Sequence, residues 1–191
     1  SIGRATPEAR RLFDNVWAPV ARYGEVVRRL PGELWAFLLG REGGYVAIRA
    51  GESHYRPGPA QLRGRDISNV AYVSIDELAR GGIRPLQALG HLIDHHLGCA
   101  GQPAGPWLSD GGGLTPGWCA AAERLPGLFA LGYGIDPVAR SSQRGYFARS
   151  LAWFCRDRQA LNVSDPQMER WLRNTIWSPA FWRQAEHPGG G

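Results

Sequence analysis

Lysine is absent from this chain: all 22 basic residues are arginine. Aspartate and glutamate total 17, so the formal net charge is +5 with histidine neutral. The arginines are dispersed from Arg4 to Arg183 and never run beyond pairs such as Arg10-Arg11 and Arg28-Arg29. No helix-turn-helix, zinc-finger or RNP pattern accompanies them. The excess charge therefore reads as a solvated surface, and no nucleic-acid partner is expected. Cysteine is scarce as well. Cys99, Cys119 and Cys155 are odd in number and lack CxxC spacing. That argues against a disulfide framework and a cysteine zinc knuckle, and it fits free thiols in a cytoplasmic protein of bacterial type. No apolar run reaches the roughly 18–20 residues a membrane helix needs, so no membrane partner is expected. The first ten residues are polar and charged, unlike a signal peptide. Secretion stays open only if a leader has been removed. There is no internal repeat, and the one low-complexity stretch is the tail Gly189-Gly190-Gly191, expected to fray.

What remains is a chain of 191 residues, 43% hydrophobic, with eight tryptophans. That length suits one domain with a core of large rings. "TPEARRLFDNVW" reads as a helix start: Thr6 caps, Pro7 fits the first turn and Glu8 meets the positive dipole end. Pro19 is expected to break or kink that helix, and "VARYGEVVRRL" continues it or starts a second, ending before Pro31. "ELWAFLLG" and "GYVAIRA" are apolar runs separated by "REGG", which reads as a hairpin. "SHYRPGPAQLRGRDIS" looks like a loop, and "NVAYVSI" is the strongest strand candidate. From Pro85 onward the pattern is helical: "PLQALGHLIDHHLG" with Gly98 as its stop, then "WCAAAERL", "GYFARSLAWFCRD", "DPQMERWLRNTIW" and "SPAFWR". The expected fold is α+β: a helix and strand half over residues 1–84, with a small mixed or antiparallel sheet, then a mostly helical half over 85–188 in the same domain.

Histidine numbers five in the chain, and three fall between His91 and His96 together with Asp94. On a helix, His91 and His95 lie four apart and share a side, the spacing by which HxxxH helices hold zinc. Asp94 could orient an imidazole or act as base toward a metal-bound water, and the stretch fits the inverted HxxEH pattern with aspartate for glutamate. His96 points elsewhere on the helix and is expected to face solvent or to cap. A catalytic zinc needs a third protein ligand. Candidates are Asp110, Glu123, Asp136 and Glu169, although Asp110 reads equally as a turn residue and the two glutamates as solvated helix faces.

Two stretches, "QALGHLIDHHLG" and "GYFARSLAWFCRD", together with the order of elements from about Leu30 to Arg158, resemble the zincin metallopeptidases. The resemblance is to the compact peptidase domain of the anthrax-lethal-factor-like group. In that group the active helix reads like "HExGHxLD…G", and a later helix supplies a glutamate ligand just before "(Y/F)FA". Laid over this chain, His91 takes the place of the second zinc histidine. Gln87 falls where the first histidine belongs, Ala88 where the general-base glutamate belongs, and Gly145 where the later glutamate belongs. Tyr133 loosely matches the tyrosine of the group that sits near the substrate carbonyl, though its spacing to Gly145 is too long. In this register the resemblance implies a zincin-like fold whose peptidase site has been lost, with no cofactor. Such a domain would serve as a scaffold or binding module for a protein or peptide partner, with Trp107, Trp118 and Trp153 as candidate cleft residues. A second register shifts the motif by one turn. It keeps His91 and His95 as zinc ligands and Asp94 as base, and it implies a zinc-dependent peptidase or hydrolase. The late helix favours the first register, because Gly145 offers no carboxylate. A further alternative is a protein-interaction domain working through the Trp- and Arg-rich stretch "WLRNTIWSPAFWR".

Overall fold

The computed structural model describes residues 6–41, 43–62 and 64–186. The glycine tail lies outside them. The chain opens with α1 (Pro7–Leu12), a π-helical stretch Phe13–Trp17, and α2 (Ala18–Val27). Thr6 caps α1 as expected, its hydroxyl accepting from Ala9 N at 3.2 Å. Pro19 does not break the helix. It sits in the first turn of α2, and the missing N–H is absorbed by the wider π-helical stretch before it.

The expected first strand is instead α3 (Gly32–Leu39). Glu, Leu and Ala in "ELWAFLL" are strong helix formers. Helical winding also buries Leu34 completely and lays Leu38 against the core. The sheet comprises β1 (Tyr45–Arg49), β2 (His54–Leu62) and β3 (Arg65–Ser74), in the order β1-β3-β2. The hairpin is therefore β2–β3, antiparallel with Leu62 opposite Arg65, while β1 runs parallel to β3. Sequence reading missed β2 because of its two prolines. They are tolerated because β2 is an edge strand, and its register breaks between Arg56 and Pro59, where Gly58 takes φ +77°.

A short α4 (Ile75–Ala79), capped by Ser74, leads to α5 (Arg84–Cys99), the histidine helix. Three of its faces are covered. Leu89, Ile93 and Leu97 enter the main core, Ala88 and Leu92 lie on the sheet against Ala71, and Leu86 packs with Ile83 and Ala152. Each of these leucines and isoleucines contributes roughly 1.5–3 kcal/mol on full burial. Gly98 is not the stop. The helix runs to Cys99 and ends on Ala100 in the left-handed conformation, φ 58°. Gly98 instead lets the segment Pro106–Leu108 lie against the helix, where a Cβ would come within 2.3 Å of Leu108 N.

After a 3-10 turn at Leu108–Asp110 come α6 (Pro116–Ala122), α7 (Leu125–Ala130), α8 (Gln143–Arg156), α9 (Arg158–Ser164), α10 (Pro166–Asn174) and α11 (Pro179–Glu186). α8 lies along α5. Gly90 faces it so closely that a Cβ there would stand 2.7 Å from the Ala148 carbonyl oxygen. Tyr146 on α8 donates to Asp165 Oδ2 at 2.7 Å, and the other Asp165 oxygen caps α10. The tail tryptophans Trp171 and Trp182 are 2% and 1% exposed and complete the main core. The architecture is α+β with a small three-stranded mixed sheet. No helix among the described residues is long and apolar enough to cross a membrane.

Candidate functional site

α5 carries its three histidines into three different surroundings. His95 is fully buried. Its Nε2 lies 2.9 Å from the Gln102 carbonyl, which can only accept, so Nε2 carries the proton. Burial lowers the pKa of the ring, keeping it neutral, and Nδ1 is left bare. That nitrogen takes the Tyr55 hydroxyl at 2.7 Å. Burial pushes the Tyr55 phenol up, so it stays a donor. Both ring nitrogens of His95 are thus committed inside the fold. Trp107 stacks on the ring at 4.8 Å, and Arg144 lies over the other ring system's face at 4.3 Å from the Trp107 centroid.

Asp94 is also fully buried and faces neither imidazole as a hydrogen-bond partner. Ser109 N and Ser109 Oγ donate to its two oxygens at 2.8 and 2.7 Å. Burial pushes this carboxyl up to about 7 against those two bonds. The pair ties the Gly101–Gly113 loop to the middle of α5.

His96 was expected at the surface and is instead 1% exposed. Gly44 and Gly101, both at positive φ, let the backbone press onto its ring, and a Cβ on either would meet the ring at about 3.0 Å. Neither ring nitrogen has a partner among the described residues. Burial, with His95 and Arg41 nearby, pulls its pKa down to about 4. Above His96 opens a broad cleft of about 840 Å³ between the Gly43-Gly44 turn, β3 and the loop after α5. Asn69 and Ala100, the non-glycine residues with positive φ among those described, both line it.

His91 is the histidine that faces a smaller cleft, of about 410 Å³. One wall is Glu52 to Tyr55, the approach to β2 and its first residues, and the other is α5 with Arg84, Gln87, Ala88 and His91. Val138 and Arg149 close the end. Gln87, Ala88 and His91 line this one cavity together. His91 Nδ1 is buried and unpartnered, and its ring packs edge-on against Trp107 at 5.8 Å. Burial, then the Arg144 charge, pulls His91 down to about 4.

The zinc set implied by the resemblance does not fit these residues. Gln87 Oε1 accepts from Arg149 Nη1 at 2.9 Å, so a guanidinium cation occupies the neighbourhood where a metal would need an electron pair. Ala88 carries no base. Gly145 offers no carboxylate, and a Cβ there would already stand 2.9 Å from Ser142 Oγ and 3.0 Å from the Val138 carbonyl oxygen. The other register fares no better, since His95 has no free lone pair and Asp94 is held by Ser109. Among the described residues no group of three or more His, Cys, Asp or Glu side chains could hold a metal ion.

The remaining ligand candidates are dispersed. Asp110 pairs with Arg144 at 2.6 Å, and Glu123 is exposed at the end of α6. Asp136 accepts from Arg149 Nε at 2.6 Å and Ala139 N at 3.0 Å. Burial opposes its charge, yet these partners hold its pKa below the usual carboxylate value. Glu169, expected on a solvated face, is 4% exposed and bonded to Arg158 at 2.6 Å. Tyr133 is half exposed after α7 and does not line the His91 cleft. Trp118 is buried under Phe181 and Trp182, away from any cleft role, and Trp153 packs against the core with its Nε1 3.5 Å from Asp136 and Arg156 over its ring. Sequence reading missed Tyr55, Ser109, Arg149 and Asn69. A signal existed for Asn69 alone, because asparagine tolerates the left-handed region. The other three depend on long-range contacts with no local pattern. Compared with known proteins, the chain matches no protein-family model, no curated protein and no solved structure.

Proposed function

We propose that the chain is a metal-free binding module of zincin-like shape, in which the cleft between β2 and α5 takes an extended peptide or a small polar ligand and performs no hydrolysis. The observation that carries this reading is the internal commitment of His95. With one nitrogen donating to Gln102 and the other accepting from Tyr55, it has nothing to offer a metal. Asp94 accepts from Ser109 at both oxygens, which weighs against its use as the base of a competing zinc hydrolase. The cleft itself stays open, and its walls set the polar side chains of Gln87, His91 and Arg149 beside apolar Ala88 and Val138. Burial of Trp171 and Trp182 in the main core weighs against docking through the C-terminal helices.

Elemental analysis of tag-free protein, followed by zinc titration of the chelator-treated form, tests the reading. The expected result is no stoichiometric zinc, and binding weaker than about micromolar, a level cellular zinc does not fill. One zinc per chain, lost in both His91→Ala and His95→Ala, would overturn it and restore the hydrolase built on His91, His95 and Asp94.

A further inference from the structure

Arg149 projects from α8 into the His91 cleft with a side chain only 13% exposed. It is held from two sides. Nε donates to Asp136 Oδ2 at 2.6 Å, and Nη1 donates to Gln87 Oε1 at 2.9 Å. A guanidinium has five N–H donors in a planar fork. These contacts leave Nη2 and the other Nη1 hydrogen without an acceptor among the described residues. Asp136 compensates the buried charge and is itself fixed by Ala139 N, so the fork is in place before any ligand arrives. One turn before Gln87 on the same helix face stands Arg84. It lines the same cleft and is loosely paired, 3.5 Å from Glu77 and 4.0 Å from Glu52. Arg84, Gln87 and Arg149 thus form a row of donors.

We propose that this row is a carboxylate subsite: the cleft binds its peptide ligand through a carboxylate gripped by the free Nη edge of Arg149, with Arg84 closing over it from the rim. The inference rests on the reading of the cleft as a metal-free binding site and names what it binds. A carboxylate suits the site in shape, because two parallel N–H···O bonds match the fork. It suits it in charge as well. Asp136, Glu52 and Glu77 already offset the two arginines, so a monoanion meets less repulsion there than a dianion such as phosphate. The fixed cation that the resembled peptidases obtain from zinc is supplied here by the guanidinium beside Gln87.

The test is a titration of nitrogen-15-labelled protein with three peptides, read on the Arg149 Nε–H and Gln87 side-chain amide signals. The probes are acetyl-trialanine with a free C-terminus, the same peptide amidated, and acetyl-Ala-Asp-Ala amide. A carboxylate-bearing peptide is expected to move both signals saturably and to bind at least ~10-fold tighter than the amidated trialanine, with millimolar affinity for so short a ligand. The better of the two carboxylate peptides tells a C-terminus from an acidic side chain. Arg149→Lys keeps the charge and loses the fork, and is expected to erase most of the preference. Arg84→Gln, at an exposed position that leaves folding intact, is expected to weaken the acid about 3-fold. Equal binding of acid and amide would refute the carboxylate subsite while leaving a metal-free binding cleft. So would unmoved signals with all three peptides at ~10 mM. Stoichiometric zinc in the separate metal titration would overturn both.

Discussion

Replacing His96 by leucine isolates the energetic consequence of burying an imidazole with no partner. The ring is 1% exposed, and its pKa falls from 6.5 to about 4 through burial and through His95 and Arg41. Between those two values the unfolded chain binds a proton that the folded chain refuses. Stability from this group is therefore complete above pH 6.5 and is lost as pH falls toward 4. Two and a half pH units at about 1.4 kcal/mol each give about 3.4 kcal/mol in full, of which about 3 kcal/mol is lost by pH 4, where the folded ring is half protonated. Wild type alone will not display it cleanly. Asp94, pushed up to about 7, acts in the opposite sense: folding takes up a proton there, so stability rises as pH falls from 7 to 3.8. His91, also near 4, adds to the His96 effect. The difference between wild type and His96→Leu cancels the terms they share. Leucine is close in volume and has no atom needing a partner, so at pH 7 the variant is expected to be at least as stable. Urea unfolding followed by tryptophan fluorescence from pH 7 to pH 4 should show the gap shifting by about 3 kcal/mol in favour of the variant. A gap constant within ~0.5 kcal/mol would mean that the imidazole is hydrated or paired, and the burial argument would fail.

Two glycine substitutions of the same kind should have opposite signs. Gly90→Ala forces a Cβ onto the Ala148 backbone and is expected to cost about 2 kcal/mol despite the better helix propensity. Gly24→Ala in α2 meets nothing within 4 Å and should stabilise by about 0.5–1 kcal/mol, both read from urea midpoints. A neutral Gly90→Ala would show that α5 and α8 stand further apart. Ser109→Ala removes one of the two bonds to buried Asp94 and is expected to destabilise by about 1–3 kcal/mol at pH 8, and by less at pH 5, where the carboxyl is protonated. A penalty larger at pH 5 than at pH 8 would contradict the assignment of Asp94. Nitrogen-15 spectra of the imidazoles should find His95 neutral at pH 7 with its proton on Nε2, and Tyr55→Phe should shift Nδ1 alone. A proton on Nδ1 would break the hydrogen-bond order derived for the site.

Most of the helices were readable because their signals are local. Thr6, Ser142, Asp165 and Ser178 each cap the helix they precede, and proline follows the cap in several first turns. Gln87, Ala88 and His91 line one cleft because a single helix fixes their spacing. The sheet was harder. "ELWAFLL" is too short to reveal a period, so burial of Leu34 against a distant core decided its conformation. The two prolines of β2 hid a strand that exists because β3 pairs with it. Arg149 and Tyr55 are 62 and 40 residues from the groups they bond. Distances of that kind leave no trace in periodicity, and they determine the character of the cleft.

The meeting of Gly90 with Ala148 also bears on how the cleft responds to its surroundings. Backbone touches backbone there, with no side chain between to yield. Gln87 stands one turn before Gly90 on α5 and Arg149 directly follows Ala148 on α8, so the width between them is a calliper set to a fixed gap. A ligand cannot gain affinity by drawing the two helices together, and heat or solvent cannot gradually widen them. Selectivity must then be tuned at the jaws, through the reach of Arg84 and Arg149, while the frame that holds the jaws either stays as it is or comes apart with the whole core.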